Sequence, residues 1–199
     1  QDFGLNTHDK EVFASAVNAA AVVGALSSGV IADKFGRKPA LFISSLAFTS
    51  GSFAMALASS YRNLLLGRYV QGFGIGAGLL ISPMFISEIA PPAFRGSLVT
   101  LSEVSLSVGI LLAYCANFAL SGLPNQWRWM LALGAIPGIA LCLRILFLPE
   151  SPRFLVGQGK PDEAAAVLDR IVKRQLPKGA APSVASAQRR TEADEADAV

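Results

Sequence analysis

The stretch from Gly67 to Glu103 reads GRYVQGFGIGAGLLISPMFISEIAPPAFRGSLVTLSE. Arg68 stands at the start of an apolar, glycine-rich run, Glu88 stands near its end, and Glu103 lies inside the next apolar run. Charged side chains are costly in a lipid bilayer, so charges at the ends of apolar runs or inside them predict a functional role. The stretch therefore indicates two membrane helices joined by the turn at residues 90–96.

The composition extends this interpretation to most of the chain. The 199 residues are 52% hydrophobic and 16% charged, against about 25% charged in an ordinary soluble domain. Runs of about 20 apolar residues, each long enough to cross a bilayer, fill residues 12–148 with almost no polar face. The sequence predicts an all-α integral membrane protein. Its five spans are predicted at about residues 12–32, 39–59, 64–89, 96–120 and 128–148.

The cations indicate how these spans are oriented. They gather at residues 34–38, at Arg95 and from Arg153 to Arg174, which all lie on one side if the spans alternate. Loops rich in Lys and Arg mark the cytoplasmic side. We therefore expect residues 1–11 to form an external loop, 149–175 a cytoplasmic helical segment and 176–199 a disordered cytoplasmic tail. An external start to five spans also predicts a further helix before residue 1.

Several classes of function are excluded by what the sequence contains. Cys115 and Cys142 lie within apolar runs, where we expect them to pack as small hydrophobic residues. No spacing of Cys, His or carboxylates indicates a metal site, and the single histidine, His8, lies outside the apolar runs. Neither a nucleophile–base pair nor a basic patch interleaved with aromatic residues is present. We expect no enzyme, no cofactor and no nucleic-acid partner.

Small residues recur four positions apart within the predicted spans. They are Ala20, Gly24 and Ser28, and the pairs Gly72/Gly76 and Gly74/Gly78. Because no strand precedes the glycines, a dinucleotide-binding fingerprint is rejected. This spacing instead lets membrane helices approach closely, so we expect tight helix packing along these faces.

Five motifs in order carry a resemblance to a known family. They are DKFGRK at 33–38, GR at 67–68, PMFISE at 83–88 with RG at 95–96, WRW at 127–129, and PESPR at 149–153. Together they resemble the sugar porter family of the major facilitator superfamily over about residues 12–174. The resemblance implies helices two to six of a twelve-helix transporter and the start of its intracellular helical domain. Its first helix and C-terminal half would be missing partners of this chain.

The resemblance also implies roles for particular charges. It places six residues in a cytoplasmic charge network that closes when the carrier faces outward: Asp33, Arg37, Glu88, Arg95, Glu150 and Arg153. It matches Arg68 to an arginine that partners a proton-carrying Asp of the first helix in proton-coupled members. From position alone, Arg68 could equally snorkel to the interface. The basic loop at residues 34–38 could likewise be a plain solvated loop.

Glu103 departs from the common pattern of the family. Many sugar porters carry Gln at this place, whereas Glu with the surrounding LSEV and GILL sequences resembles the plant polyol transporter branch. A carboxylate can accept hydrogen bonds from two vicinal hydroxyls of a linear polyol. We expect Gln71, Glu103 and Asn117 to face the substrate. The alternative is that a neighbouring arginine neutralises Glu103 and that its role is structural.

The combined interpretation is transport of a sugar or polyol by alternating access, with proton symport. A sugar uniporter, a non-transporting sugar sensor and an inactive truncated product are the alternatives. We expect residue 1 outside and residue 199 in the cytoplasm of a plasma-membrane protein. Its partners would be the small-molecule substrate, protons and the lipid bilayer.

Overall fold

The computed structural model describes residues 6–90, 94–122 and 126–175, and these residues are almost entirely helical. The helices in chain order are α1 (Thr7–Phe35), α2 (Arg37–Ala56), α3 (Tyr61–Ile89), α4 (Arg95–Ala119), α5 (Gln126–Leu146), α6 (Pro152–Gly157) and α7 (Pro161–Gln175). The chain divides into two compact units, residues 1–148 and residues 149–199. The first unit holds α1–α5 and the second holds α6 and α7.

The five helices of the first unit are long and apolar enough to cross a membrane. They contain 29, 20, 29, 25 and 21 residues, and about 20 residues at 1.5 Å each span the hydrocarbon core. The prediction of an all-α membrane fold with five apolar helices is confirmed.

The helix ends differ slightly from the predicted spans. α1 begins at Thr7, five residues before the predicted start at residue 12, because the Asn6 N–H donates to the Asp9 carboxylate at 3.2 Å and closes the first turn. The other ends lie within three residues of the predicted limits. The whole predicted tail at 176–199, and residues 1–5 of the predicted external loop, lie outside the described residues.

Side-chain contacts join the helix ends that alternating spans place on the same side. At one end, the Tyr61 hydroxyl donates to the Asp9 carbonyl at 2.9 Å, and Arg128 donates to the Ala58 carbonyl at 3.1 Å. At the other end, Lys38 Nζ donates to the Leu146 carbonyl at 3.0 Å. The five helices therefore cross in alternating directions.

α3 is the centre of the first unit, with α1 and α2 packed on two of its faces. A Cβ added to Gly72 would lie 2.6 Å from the Val17 carbonyl oxygen of α1. One added to Gly74 would lie 2.5 Å from the Phe48 amide nitrogen of α2. Alternate glycines of α3 thus bring two neighbouring backbones into contact, as their spacing predicted.

α1 and α4 contrast in how much they bury. The buried residues of α1 form one small-residue stripe: Ala16, Ala20, Gly24, Ser28 and Ala32. α4 buries none of its residues and has only small contacts with α3 and α5. Its Gly109 has no atom within 4 Å of the place where a Cβ would stand. The surface of α4 is therefore free of close packing within the described residues.

The second unit is a short helical pair. Ser151 caps α6 by accepting a hydrogen bond from the Phe154 N–H at 3.5 Å. Gly159 takes a φ of 74° in the turn before α7. Leu155 of α6 and Ala164 of α7 are buried, so the two helices pack on each other through these small apolar surfaces.

The glycine contacts predict unequal effects of two similar substitutions. Gly76→Ala would drive a methyl group into the backbone of Ala21, and we expect it to destabilise the protein by about 1–3 kcal/mol. Gly109→Ala meets open space and should be neutral or slightly stabilising, because Ala is the better helix former. Melting temperatures of the purified variants in detergent test the difference. Equal melting temperatures would contradict the close packing of α1 on α3.

Candidate functional site

Arg37 lies where the end of α1, the start of α2 and the end of α3 meet. Its Nε donates to both carboxylate oxygens of Glu88 at 3.2 Å. Its Nη1 lies 3.2 Å from the Asp33 carboxylate and donates to the Ala32 carbonyl at 3.0 Å. One guanidinium therefore joins the end of α1, the start of α2 and the end of α3. We call Asp33, Arg37 and Glu88 the charge cluster.

The two ion pairs of the charge cluster differ in burial. The side chains of Arg37 and Glu88 are 12% and 6% exposed, whereas that of Asp33 is 72% exposed. Removing one partner from a buried pair leaves an uncompensated charge and is strongly destabilising, while exposed pairs contribute little. The Arg37–Glu88 pair is therefore the one that matters for the packing of α2 on α3.

The turn before Arg37 explains how it reaches these partners. Gly36 is the single residue between α1 and α2, and its φ of 104° and ψ of 163° lie in a region that is nearly exclusive to glycine. This sharp turn sets the guanidinium beside the C-terminal carbonyls of α1, where a cation is favourable. Gly36 thus positions Arg37 at the ends of two helices at once.

Three of the six residues of the charge network meet within the first unit. They are Asp33, Arg37 and Glu88. The Nε of Arg95 is buried and has no hydrogen-bond partner within the described residues. Glu150 and Arg153 lie in the second unit, where the Glu150 carboxylate accepts from the Ser151 N–H at 2.9 Å and Arg153 is exposed.

Arg68 lies half-buried on α3 among three helices. Its Nη1 donates to Gln71 Oε1 at 3.1 Å, and its guanidinium lies 4.6 Å from the centre of the Phe13 ring of α1. Its Nε is buried and finds no acceptor in the part of the chain that the structure describes. A cation held in this way over an aromatic ring is a fixed feature of the helix interface.

Gln71 is buried, with 8% of its surface exposed. Both the oxygen and the nitrogen of its side-chain amide form hydrogen bonds. Besides accepting from Arg68, it donates from Nε2 to Ser52 Oγ of α2 at 2.9 Å. Ser52 was missed by the sequence analysis, because α2 also carries Ser44, Ser45, Thr49 and Ser50 and no local signal separates one hydroxyl from another. Phe13 could not be singled out either, because α1 is rich in apolar residues and no local signal marks the one that contacts a cation.

Glu103 and Asn117 lie on α4, and both are exposed. No cation lies within ion-pair distance of Glu103 among the described residues. The two residues are 14 positions apart on one continuous helix, so they share a face but stand about 21 Å apart. Because that distance exceeds the length of a monosaccharide, one small sugar cannot contact both at once.

The geometry of the charge cluster predicts that Arg37→Lys destabilises the protein although it keeps the charge. A lysine ammonium lacks the planar fork that reaches Glu88, Asp33 and the Ala32 carbonyl together. We expect a loss of about 1–3 kcal/mol, as for charged hydrogen bonds, seen as a lower melting temperature. Lys34→Arg at an exposed neighbouring position is the matched control and should have little effect. An unchanged melting temperature of Arg37→Lys would argue against the three-way contact.

The family model described as "Sugar (and other) transporter" matches residues 2–197. The chain is 37% identical over 176 residues to "Probable polyol transporter 4" of Arabidopsis thaliana, covering 87% of this chain and 34% of the relative. It is 41% identical over 159 residues to "D-xylose transporter" of Levilactobacillus brevis, covering 80% of this chain and 35% of the relative. The chain thus spans about a third of the length of these curated relatives.

A solved structure has the same fold. The xylose transporter XylE from E. coli, in a partially occluded inward-open conformation, matches with a TM-score of 0.78 and 25% identity, over 85% of this chain and 47% of XylE. A second XylE structure, described as a major facilitator superfamily proton:xylose symporter bound to 6-bromo-6-deoxy-D-glucose, matches with a TM-score of 0.75 and 29% identity, over 84% of this chain and 42% of XylE. The first unit thus has the helical arrangement of the major facilitator fold, as the motifs predicted. The chain belongs to the sugar (and other) transporter family, a family of multi-pass membrane transport proteins rather than of enzymes.

Proposed function

We propose that this chain supplies helices two to six of a carrier that moves a sugar or polyol by alternating access, coupled to protons. The observation that carries the proposal is Glu103, an exposed carboxylate inside an apolar helix that buries none of its residues. A carboxylate is costly when it faces lipid, so this face of α4 belongs to a polar cavity of the carrier. The relatives named for polyols and for D-xylose favour hydroxyl-rich substrates for that cavity.

Within this proposal Glu103 is the direct substrate contact on α4. Its two oxygens accept hydrogen bonds from neighbouring hydroxyls, which suits vicinal hydroxyl groups of a polyol or sugar. Asn117, about 21 Å further along the helix, belongs to the external mouth of the cavity and meets the substrate at a different step. That Gln71 contacts the substrate directly stays a prediction, and its bonds to Arg68 and Ser52 favour an indirect role.

The charge cluster is the proposed conformational lock. Arg37 joins three helix ends, and we propose that they lie on the cytoplasmic side. In this orientation residue 1 is outside the cell and the carrier lies in the plasma membrane. A two-state rocking motion is biased by contacts that differ between the states. We propose that the network of Asp33, Arg37, Glu88, Arg95, Glu150 and Arg153 is closed when the carrier faces outward and loosens when it opens inward.

Proton coupling is assigned to Arg68. A half-buried guanidinium whose buried Nε has no acceptor in the described part of the chain favours a carboxylate partner, and such a partner would come from another helix of the carrier. Protonation of that carboxylate would release Arg68, so proton binding and the conformational change become linked. This link is what separates a symporter from a uniporter, and it makes uptake depend on the external pH.

The proposal is tested by uptake in a transport-deficient cell that expresses the complete reading frame containing this chain. We expect labelled sorbitol uptake to rise when the external pH is lowered from neutral to acid. Glu103→Gln should lower sorbitol uptake by about tenfold relative to glucose, since one charge-assisted hydrogen bond is lost.

The matched control is Glu11→Gln, which removes a carboxylate at an exposed position near the start of α1 and should leave uptake unchanged. Surface-expressed protein that takes up neither substrate would reject the transport proposal and favour a sensor or an inactive product. Uptake of either substrate that is independent of pH would reject proton coupling and favour a uniporter.

A further inference from the structure

Gln71 connects a guanidinium on its own helix with a hydroxyl on the neighbouring helix. Arg68 Nη1 donates to its Oε1 at 3.1 Å, and its Nε2 donates to Ser52 Oγ at 2.9 Å. Ser52 Oγ donates in turn to the Phe48 carbonyl at 2.9 Å. The hydrogen bonds therefore run in one direction, from the cation on α3 to the backbone of α2.

This direction fixes the orientation of the amide. An arginine can only donate, so it must face the oxygen of Gln71. The Ser52 hydroxyl has used its hydrogen at Phe48, so its oxygen must face the nitrogen of Gln71. A flipped amide would place donor against donor at Arg68 and leave Ser52 without its donor. The three side chains therefore have one satisfied arrangement.

The surroundings make this arrangement rigid. Ser52 is fully buried and Gln71 is nearly so, so water does not compete for these bonds, and buried hydrogen-bond chains of this kind hold a unique geometry. The Phe13 ring of α1 lies against the guanidinium from another side. Side chains from α1, α2 and α3 thus determine together where the cation of Arg68 stands.

We propose that Ser52 and Gln71 are positioning residues that hold Arg68 in the orientation required for proton-coupled uptake. The inference rests on the proposed role of Arg68 in proton coupling. In this inference Gln71 orients Arg68 rather than contacting the substrate, and α2 contributes to proton coupling through Ser52. Ser52 is the better probe, because its fully buried side chain is out of reach of any substrate.

Ser28 provides a matched control within the chain. Like Ser52 it is fully buried, and like Ser52 it donates to a carbonyl of its own helix, at 2.6 Å from Ala25 O. Ser52 differs in also accepting a hydrogen bond from another helix. A comparison of the two Ala variants therefore isolates the cross-helix bond from the loss of a buried hydroxyl.

The first experiment measures initial rates of labelled sorbitol uptake against substrate concentration and external pH, in the complete protein. For Ser52→Ala we expect the maximal rate of acid-stimulated uptake to fall about two- to tenfold. This is the fold-change that corresponds to the net free energy of one neutral hydrogen bond. The KM for sorbitol should stay unchanged, and the pH profile should flatten. Ser28→Ala should retain the wild-type rate and profile. A raised KM with an unchanged pH profile, or equal effects of the two variants, would overturn the proposal.

A second experiment does not depend on transport. Melting temperatures of purified wild type, Ser52→Ala, Arg68→Met and the double variant form a double-mutant cycle. If Ser52 acts on Arg68 through Gln71, the double variant should lose less than the sum of the two single losses. Additive losses would overturn the positioning role. If wild-type uptake proves independent of pH, the proposed coupling fails, and this cycle still decides whether Ser52 and Arg68 act together.

Discussion

The buried pair between Arg37 and Glu88, with the bond from Arg37 to the Ala32 carbonyl, holds the end of α1, the start of α2 and the end of α3 together. It forms only because Gly36 turns the chain within one residue and because the glycines of α3 let α2 approach at backbone distance. Two charges removed from water are stable only when they remain paired and hydrogen-bonded. The pair is thus both a packing element and a contact whose loss changes the arrangement of three helices.

The same close approach explains why polar groups meet in the middle of the unit. Gly51 of α2 lies so near α3 that a Cβ there would stand 2.5 Å from the backbone nitrogen of Gln71. At this contact point Ser52, the residue after Gly51, accepts a hydrogen bond from the side chain of Gln71 across the interface. Small residues thus place α2 and α3 at a distance that short polar side chains can bridge. The charge cluster and the Arg68 site are two consequences of one packing geometry.

Much of this fold could be predicted from the sequence, because membrane helices are set by local properties: apolar runs, small-residue spacing and loop charges. The contact of Asp33, Arg37 and Glu88 agrees with the family motifs. The bond from Gln71 to Ser52 could not be predicted, since an apolar helix with several hydroxyls shows no face that marks the partner. The separation of Glu103 from Asn117 is implicit in the predicted span at residues 96–120, and α4 has both residues on one continuous helix. The residue types predict a polar site, and the distance along the helix decides which of these residues one substrate can contact at the same time.

The most direct test of this account is a double-mutant cycle on the buried pair, followed by the melting temperature of the purified protein. The variants are Arg37→Met, Glu88→Met and both together. Each single change removes the Arg37–Glu88 contact while the other buried charge remains, at a loss of about 3–5 kcal/mol, whereas the double change replaces both charges by apolar side chains of similar size. We expect the double variant to melt closer to wild type than either single variant. A double variant that melts lower than both, by the sum of their losses, would contradict it.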